Sequence, residues 1–205
     1  MRVRAGFSRT AELGVCLLAL VALGPLLVIV AALVHLQDGG PVIFRQRRIG
    51  RGGRPFGCLK FRTMAVNAEQ RLQDVLASCP VRRSEWEREH KLRDDPRVTR
   101  LGLFLRRTSL DELPQLINVL RGEMSLVGPR PIVEAEINRY GSRFKYYTSV
   151  RPGMTGLWQV SGRNNVSYRT RVAMDVTYVR ARTALLDFRI LLATVYTVVI
   201  QRGSY

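Results

Sequence analysis

Two adjacent carboxylates, Asp111 and Glu112, lie in the middle of the segment RRTSLDELPQLINVL, Arg106–Leu120. The pair is followed by apolar residues at the spacing of one buried helix face, namely Leu113, Leu116, Ile117 and Leu120. Pro114 has no N–H and fits only the first turn of such a helix, where no intrahelical donor is needed. This position predicts a helix that begins near Asp111, with its side chain as the N-cap.

Two interpretations of the pair follow. In the first, Asp111 is only a cap and Glu112 is an acid near the positive end of the helix. In the second, Asp111 is a nucleophile toward phosphorus, because a carboxylate can form a covalent intermediate. Glu112 would then offer a hard oxygen ligand of the kind that Mg²⁺ prefers. An anionic substrate also needs cations, and Arg106, Arg107 and Arg130 are the nearest arginines by type and position.

The composition favours anionic partners. The chain has 205 residues, 46% of them apolar, and a formal net charge of +17. Thirty of its 33 basic residues are arginine, whose planar fork of donors matches phosphate. The three cysteines, Cys16, Cys58 and Cys79, are widely spaced and form neither a metal-binding pattern nor a disulfide framework. The length fits one domain with a substantial core.

The segment Leu13–Leu36 is apolar and long enough to cross a bilayer. Gly24 and Pro25 lie at its centre, and a proline inside a helix kinks or breaks it. Arginines flank the segment on both sides, which favours placing both ends in the cytoplasm. We therefore expect a re-entrant helix that breaks at Gly24 and Pro25; a kinked transmembrane anchor is the alternative. The expected division is a membrane part, residues 1–38, and a catalytic part, residues 39–205.

The remaining pattern predicts an α+β, membrane-associated fold with a small hairpin and surrounding amphipathic and interfacial helices. The predicted hairpin joins Val42–Gln46 to Pro55–Phe61 through a basic, glycine-rich turn. The predicted helices are Ala65–Ser78, Val81–Leu92, Val98–Arg107 and a C-terminal apolar segment, Leu185–Ile200. Val98–Arg107 combines an apolar face with arginines, as in helices that lie on anionic membranes. The C-terminal segment is too short to cross a bilayer, and we expect it to pack at the membrane interface or against the re-entrant helix.

The sequence contains four longer motifs: KFRTM (60–64), DDPRVTRLG (94–102), RRTSLDELPQLINVLRGEMSLVGPRP (106–131) and RPGMTGLWQVSGR (151–163). Together they resemble the bacterial sugar transferase family, the monotopic phosphoglycosyl transferases. The resemblance implies transfer of a sugar phosphate from a UDP-sugar to undecaprenyl phosphate with release of UMP. It also implies a Mg²⁺ cofactor and a position at the cytoplasmic face of the bacterial inner membrane, on anionic phospholipid.

The resemblance assigns roles to particular residues. Asp111 and Glu112 match the catalytic pair and would also hold the metal. The residues expected to bind substrate are Lys60, Arg62, Arg106, Arg130, Gln159 and Asp175. Galactose or glucose is the favoured sugar and an N-acetylated sugar is the alternative, whereas a homodimer is left open. No motif for nucleic-acid binding is present in the sequence. A basic membrane-surface scaffold without catalysis is the competing class of function.

Overall fold

A computed structural model describes residues 6–89, 92, 94–161 and 166–199. In this range, helices surround two small two-stranded sheets, which confirms the predicted α+β class. The elements are α1 Arg9–Asp38, β1 Ile43–Ile49, β2 Pro55–Phe61, α2 Ala68–Ser78, α3 Pro80–Glu89, α4 Arg100–Arg107, α5 Gln115–Leu120, β3 Ser125–Val127, α6 Ile137–Tyr140, α7 Phe144–Thr148, β4 Gly153–Thr155, α8 Leu157–Ser161, α9 Tyr168–Ala181 and α10 Ala184–Val199.

The N-terminal helix α1 is continuous through its centre. The hydroxyl of Ser8 caps its first turn, and Gly39 ends it in the left-handed conformation, with φ of 68°. Pro25 lies inside the helix, so the prediction of two helical halves separated at Gly24 and Pro25 is wrong at the level of secondary structure. A proline removes one backbone donor, and the flanking residues keep their helical conformation here. By length and composition, α1 could cross a membrane.

Both ends of α1 are bound to the rest of the chain. Near its start, the buried carboxylate of Glu12 accepts from the Leu126 N–H at 2.6 Å and from the Ser125 hydroxyl. At its end, Asp38 pairs with the guanidinium of Arg62. Polar contacts therefore hold both ends of α1 to the same folded unit.

The predicted antiparallel hairpin is present, with Ile43 opposite Phe61 and Ile49 opposite Pro55. Its first strand was predicted to end at Gln46, which is three residues too early. The arginines that follow do not interrupt the ladder, because side chains of a strand alternate between its two faces and do not take part in backbone pairing. The turn uses Gly52 at φ 69°, a backbone conformation that favours glycine.

A second sheet, which the sequence pattern did not predict, consists of the short parallel strands β3 and β4. Ser125 pairs with Gly153, and Val127 pairs with Thr155. The backbones approach closely, because a Cβ at Gly128 would lie 2.8 Å from the Gly153 nitrogen. The strand β3 leads directly into the loop 128–131, so this sheet fixes where that loop begins.

The other predicted helices are present with shifted ends. α2 begins at Ala68, because the preceding Ala65 N–H bonds to the Arg97 carbonyl at 2.9 Å and Met64 forms a bridge with Val98. In α4, Leu105 is fully buried whereas Phe104 is exposed. α3 ends at Glu89, and Leu92, its predicted end, is not helical, whereas residues 90 and 91 lie outside the described residues.

Two helices leave large apolar side chains exposed. On α1 these are Val15, Leu17, Leu18, Val21, Val28, Ile29, Leu33 and Leu36. On α10 they are Leu185, Phe188, Leu192, Val195 and Tyr196. Exposed apolar surface of this extent is typical of proteins that associate with membranes or partners.

Candidate active site

Asp111 and Glu112 lie in a single 3₁₀ turn between α4 and α5. The turn follows Ser109, whose φ of 59° lies in the left-handed region that residues other than glycine rarely adopt. α5 begins only at Gln115, with Pro114 before it, so the prediction that Asp111 caps this helix is wrong. The reversal at Ser109 winds the chain into a tight turn before the proline, and the helix can start only after it.

The short helix α5 ties this turn to the hairpin. Asn118 is fully buried, and its side chain accepts from the Leu59 N–H at 2.9 Å and donates to the Gly57 carbonyl at 2.8 Å. These two bonds fix β2 beside α5. Lys60, the next residue of β2, is consequently brought to the carboxylate pair.

The buried face of α5 also differs from the predicted one. Leu116 and Val119 are buried as core residues, but Ile117 and Leu120 are more than one third exposed. The helix has only six residues and presents less than two turns to the core.

The two carboxylates have different partners. Lys60 Nζ lies 2.7 Å from Glu112 Oε1, and Arg130 Nη2 donates to the same oxygen at 3.1 Å. Lys60 Nζ is 4.0 Å from Asp111 Oδ2, beyond a direct hydrogen bond. Asp111 is 8% exposed. The geometry therefore fixes Glu112 by two cations and leaves the Asp111 oxygens free to meet a ligand.

The pKa values of the pair diverge accordingly. Burial, followed by the charge of Glu112, raises the pKa of Asp111 to about 6. Burial also opposes ionisation of Glu112, but the charges of Arg130 and Lys60 outweigh it and lower the pKa of Glu112 to about 2. Glu112 is thus a permanent anion. Asp111 is ionised at neutral pH but poorly compensated, as expected of a carboxylate that acts on a substrate.

The loop that carries Arg130 is held by the hairpin. Arg48 Nη1 donates to the Pro131 carbonyl at 2.9 Å, and its Nη2 donates to Gln46 Oε1 at 2.8 Å. The backbone of Ile49 donates to the Ile132 carbonyl at 2.9 Å. These contacts position Arg130 against Glu112.

A cavity of about 1000 Å³ opens beside the carboxylate pair. Its volume is at the upper end of the range for small-molecule sites. Six of the predicted site residues line it together with Asp111, namely Lys60, Arg62, Arg106, Glu112, Arg130 and Gln159. Arg106 is held by a bond from its Nε to Thr63 Oγ1 at 2.9 Å. The sequence motifs thus converge on one concave, strongly basic site.

Two predicted substrate residues have other contacts. The guanidinium of Arg62 is engaged by Asp38 and by the Pro41 carbonyl at 2.7 Å, so it holds the end of α1. Asp175 is 2% exposed, accepts from the Tyr140 hydroxyl at 2.7 Å and is not among the residues that line the cavity. The structure does not bring Asp175 to the carboxylate pair.

Some site residues were missed by the sequence pattern. Arg171 of α9 lines the cavity, as do Thr63 and Gln46, and Arg48 lies behind it. The only sequence signal for Arg171 is its spacing of four residues from Asp175. Arg48 contacts a residue 83 positions away, which no local pattern reveals.

The predicted Mg²⁺ site has two carboxylates, Asp111 and Glu112. Among the described residues, no group of three or more histidine, cysteine, aspartate or glutamate side chains could hold a metal. Mg²⁺ often uses one or two carboxylates and completes its shell with water and substrate phosphates. Asp111 and Glu112 therefore have oxygen donors that fit a metal whose shell a diphosphate completes.

Comparisons with known proteins agree with this site. Residues 3–201 match the sequence profile of the bacterial sugar transferase family. The chain is 51% identical over 197 residues to the exopolysaccharide production protein ExoY of Sinorhizobium fredii, covering 96% of this chain and 87% of that protein.

Two further relatives are longer. The chain is 49% identical over 197 residues to the undecaprenyl-phosphate galactose phosphotransferase of Salmonella typhimurium. The aligned region covers 96% of this chain and 41% of that protein. It is 40% identical over 189 residues to the UDP-glucose:undecaprenyl-phosphate glucose-1-phosphate transferase of Caulobacter vibrioides. Here the aligned region covers 88% of this chain and 65% of that protein. The chain thus spans less than two thirds of either longer relative.

Proposed function

The chain belongs to the bacterial sugar transferase family, and from this premise we propose that it transfers a hexose-1-phosphate from a UDP-sugar to undecaprenyl phosphate and releases UMP. The observation that carries the proposal is the buried Asp111, which has no direct hydrogen bond to a cation among the described residues, beside a basic cavity of about 1000 Å³. A diphosphate and a lipid phosphate are the anions that such a site would bind.

The favoured donors are UDP-galactose and UDP-glucose. The Salmonella relative is named for galactose phosphate transfer and the Caulobacter relative for glucose-1-phosphate transfer. The Sinorhizobium relative is named for exopolysaccharide production, which supports a first membrane step of surface-glycan synthesis. A UDP-sugar with an N-acetyl group is the alternative donor.

The first half-reaction begins with the Asp111 carboxylate. One of its oxygens attacks the β-phosphorus of the UDP-sugar, and a P–O bond forms while the bond from that phosphorus to the α–β bridging oxygen breaks. The electron pair of that bond leaves with UMP, and a phosphoglycosyl-aspartyl ester remains. Arg106 and Arg130 lie in the cavity wall, where they can stabilise the charge on the transferring phosphoryl group.

The second half-reaction frees the enzyme. A phosphate oxygen of undecaprenyl phosphate attacks the phosphorus of the ester, and the bond to the Asp111 oxygen breaks. The carboxylate is restored and the lipid carries the sugar diphosphate. Glu112 keeps its charge throughout, because Lys60 and Arg130 hold its Oε1, so it orients the site and takes no part as nucleophile.

Mg²⁺ would be held by Asp111 and Glu112 and, when bound, would neutralise negative charge on the diphosphate. The cationic side chains of the site neutralise this negative charge only in part. Lys60 and Arg130 are directed at Glu112, and Asp111 has no cation within hydrogen-bond distance among the described residues. This difference is the structural reason to expect a metal requirement.

The membrane arrangement completes the proposal. Glu12 and Asp38 bind opposite ends of α1 to the same folded unit, and the helix leaves an apolar face exposed between them. This supports a monotopic attachment in which both ends of α1 stay on the cytoplasmic side of the inner membrane and its exposed apolar side chains contact the cytoplasmic leaflet. UDP-sugars are made in the cytoplasm, so this orientation also brings the donor to Asp111.

The direct test is UMP release from a panel of UDP-sugars with purified protein and undecaprenyl phosphate. We expect turnover with UDP-galactose or UDP-glucose. Without undecaprenyl phosphate the protein should release at most one equivalent of UMP, and further release should require the lipid. A non-catalytic scaffold would release none. Absence of UMP release from every UDP-sugar, with protein that still reconstitutes in lipid, would exclude the proposal.

A further inference from the structure

One wall of the cavity is formed by the last part of the chain, from β4, α8, α9 and α10. We call it the C-terminal wall; the members used below are Met154, Trp158, Gln159 and Arg171. Its only cation among the described lining residues is Arg171. The lining residues from the rest of the chain include Lys60, Arg62, Arg97, Arg106 and Arg130. Arg62 and Arg97 are paired with Asp38 and Asp95, so phosphate groups belong with Lys60, Arg106 and Arg130. The C-terminal wall therefore faces a less charged part of the substrate.

Gln159 presents an acceptor of fixed direction to this wall. Its Nε2 donates to the Met154 carbonyl at 3.0 Å, which sets the orientation of the amide. Its Oε1 is buried, and within the described residues it has no hydrogen-bond partner. A buried acceptor without a partner destabilises a protein, so such an atom in a cavity wall is suited to a ligand donor.

Arg171 presents a donor. Its guanidinium carbon lies 4.7 Å from the centre of the Trp158 ring, so the planar group covers the indole. The Arg171 Nε–H is buried and, in the part of the chain that the structure describes, also lacks a partner. The stacking on Trp158 holds this donor in place, since cation–π contact restricts the guanidinium.

These groups match a sugar better than a nucleobase. A base would be expected to stack on an aromatic face, but Trp158 is only 7% exposed and lies under Arg171. A hydroxyl group can donate and accept, so neighbouring sugar hydroxyls can serve the Gln159 acceptor and the Arg171 donor together. We propose that Gln159 Oε1 and Arg171 Nε bind hydroxyls of the donor hexose and determine which UDP-sugar is used. This inference rests on the proposed function.

The test compares kcat/KM of wild type and Gln159→Leu for UDP-galactose, UDP-glucose and UDP-N-acetylglucosamine, together with inhibition by UMP. We expect a loss of about 10-fold or more for the best hexose and a changed ratio between the sugars, because a missing hydrogen bond to a substrate hydroxyl affects discrimination. Inhibition by UMP should stay within about twofold, since UMP lacks the sugar. The control is Gln70→Leu, since Gln70 is exposed on α2 and bonds to Asp74.

A second readout uses UDP-hexoses that lack single hydroxyls. Removal of the hydroxyl that Gln159 contacts should impair wild type and have little further effect on Gln159→Leu. Arg171→Lys, which keeps the charge but cannot place a donor at Nε, is the second variant and should also change the ratio between sugars. If kcat/KM falls equally for all UDP-sugars and inhibition by UMP becomes weaker, the C-terminal wall binds uridine and the proposal is wrong. Unchanged ratios in both variants would also overturn the proposal. Wild-type turnover, measured in the same assay, tests the proposed function separately.

Discussion

Lys60 Nζ lies 2.7 Å from Glu112 Oε1, and this ion pair gives two neighbouring carboxylates different chemistry. The lysine comes from β2, 52 residues away in sequence, and Asn118 fixes the strand that carries it. Glu112 is held as an anion, whereas Asp111 has no direct cation partner among the described residues. Glu112 thereby orients the site as a fixed negative charge, and Asp111 is free to react.

Replacing Lys60 should remove the difference in electrostatic environment between Asp111 and Glu112. In Lys60→Met, Glu112 keeps only Arg130, and the repulsion between the two carboxylates is less compensated. We expect kcat/KM to fall about 100-fold, equivalent to about 2.7 kcal/mol. Lys60→Arg, which preserves the charge, should retain more activity than Lys60→Met. Wild-type kinetics in the methionine variant would contradict the assigned role of the pair.

Arg48 should matter although it lies behind the cavity. Arg48→Met removes the donors to the Pro131 carbonyl and to Gln46, so the loop that carries Arg130 loses its support. We expect a fall in kcat of about 10-fold, which is about 1.4 kcal/mol, with a smaller change in KM. Arg47→Met, at the neighbouring exposed position on the same strand, is the control. Equal effects of the two substitutions would show that Arg48 does not act through the loop.

Asp175 should make stability depend on pH. Burial raises its pKa to about 7, only partly offset by the hydrogen bond from Tyr140. The pKa of Asp175 in the folded protein lies above the ordinary value of 3.8. The contribution of this group to the free energy of unfolding is therefore fully present below about pH 4 and is lost as the pH rises through 7. The loss over this whole pH range is on the order of 4 kcal/mol, of which about 3 kcal/mol falls above pH 5.

Thermal unfolding of wild type and Asp175→Asn at pH 5 and pH 8 measures this effect. The variant should lose less stability between the two pH values, since it has no proton to release. Equal losses would contradict the assignment. A role of Asp175 in substrate binding stays a prediction, and the activity of the same variant tests it.

The attachment of both ends of α1 predicts its topology. A cysteine in place of Ser8, in a protein without Cys16, Cys58 and Cys79, should be labelled only from the cytoplasmic side. The reason is that the neighbouring Glu12 is bonded to the folded unit that carries Asp111. Labelling from the periplasm would establish a transmembrane anchor.

Pro25 is the position that should control this topology. Pro25→Ala restores the missing backbone donor and favours a straighter apolar helix, which is long enough to cross the bilayer. We expect part of the population to become accessible from the periplasm and activity to fall. Unchanged labelling in the alanine variant would show that contacts at the helix ends, and not the proline, determine the topology.

Local patterns predicted the elements that depend on nearby residues. Hydropathy located α1, and glycine between β-branched segments located the hairpin. The parallel pair of β3 and β4 was missed, because strands of three residues have no measurable periodicity. The start of α5 was wrong because Ser109 adopts a conformation unusual for its type.

The same contrast applies to the site. Motifs identified Asp111, Glu112, Lys60 and Arg130, which the fold brings together. Arg171 and Arg48 act through contacts between distant segments, so their positions could be found only in three dimensions.

The central claim is that Asp111 forms a covalent ester with the sugar phosphate. Wild-type protein incubated with UDP-galactose or UDP-glucose in the absence of lipid acceptor should gain the mass of one hexose phosphate on Asp111, detected by intact mass and peptide mapping. Asp111→Asn, nearly isosteric but unable to attack phosphorus, should gain none. Addition of undecaprenyl phosphate should remove the adduct. Sustained turnover by Asp111→Asn, or wild-type turnover from which no adduct can be trapped on Asp111, would contradict the account.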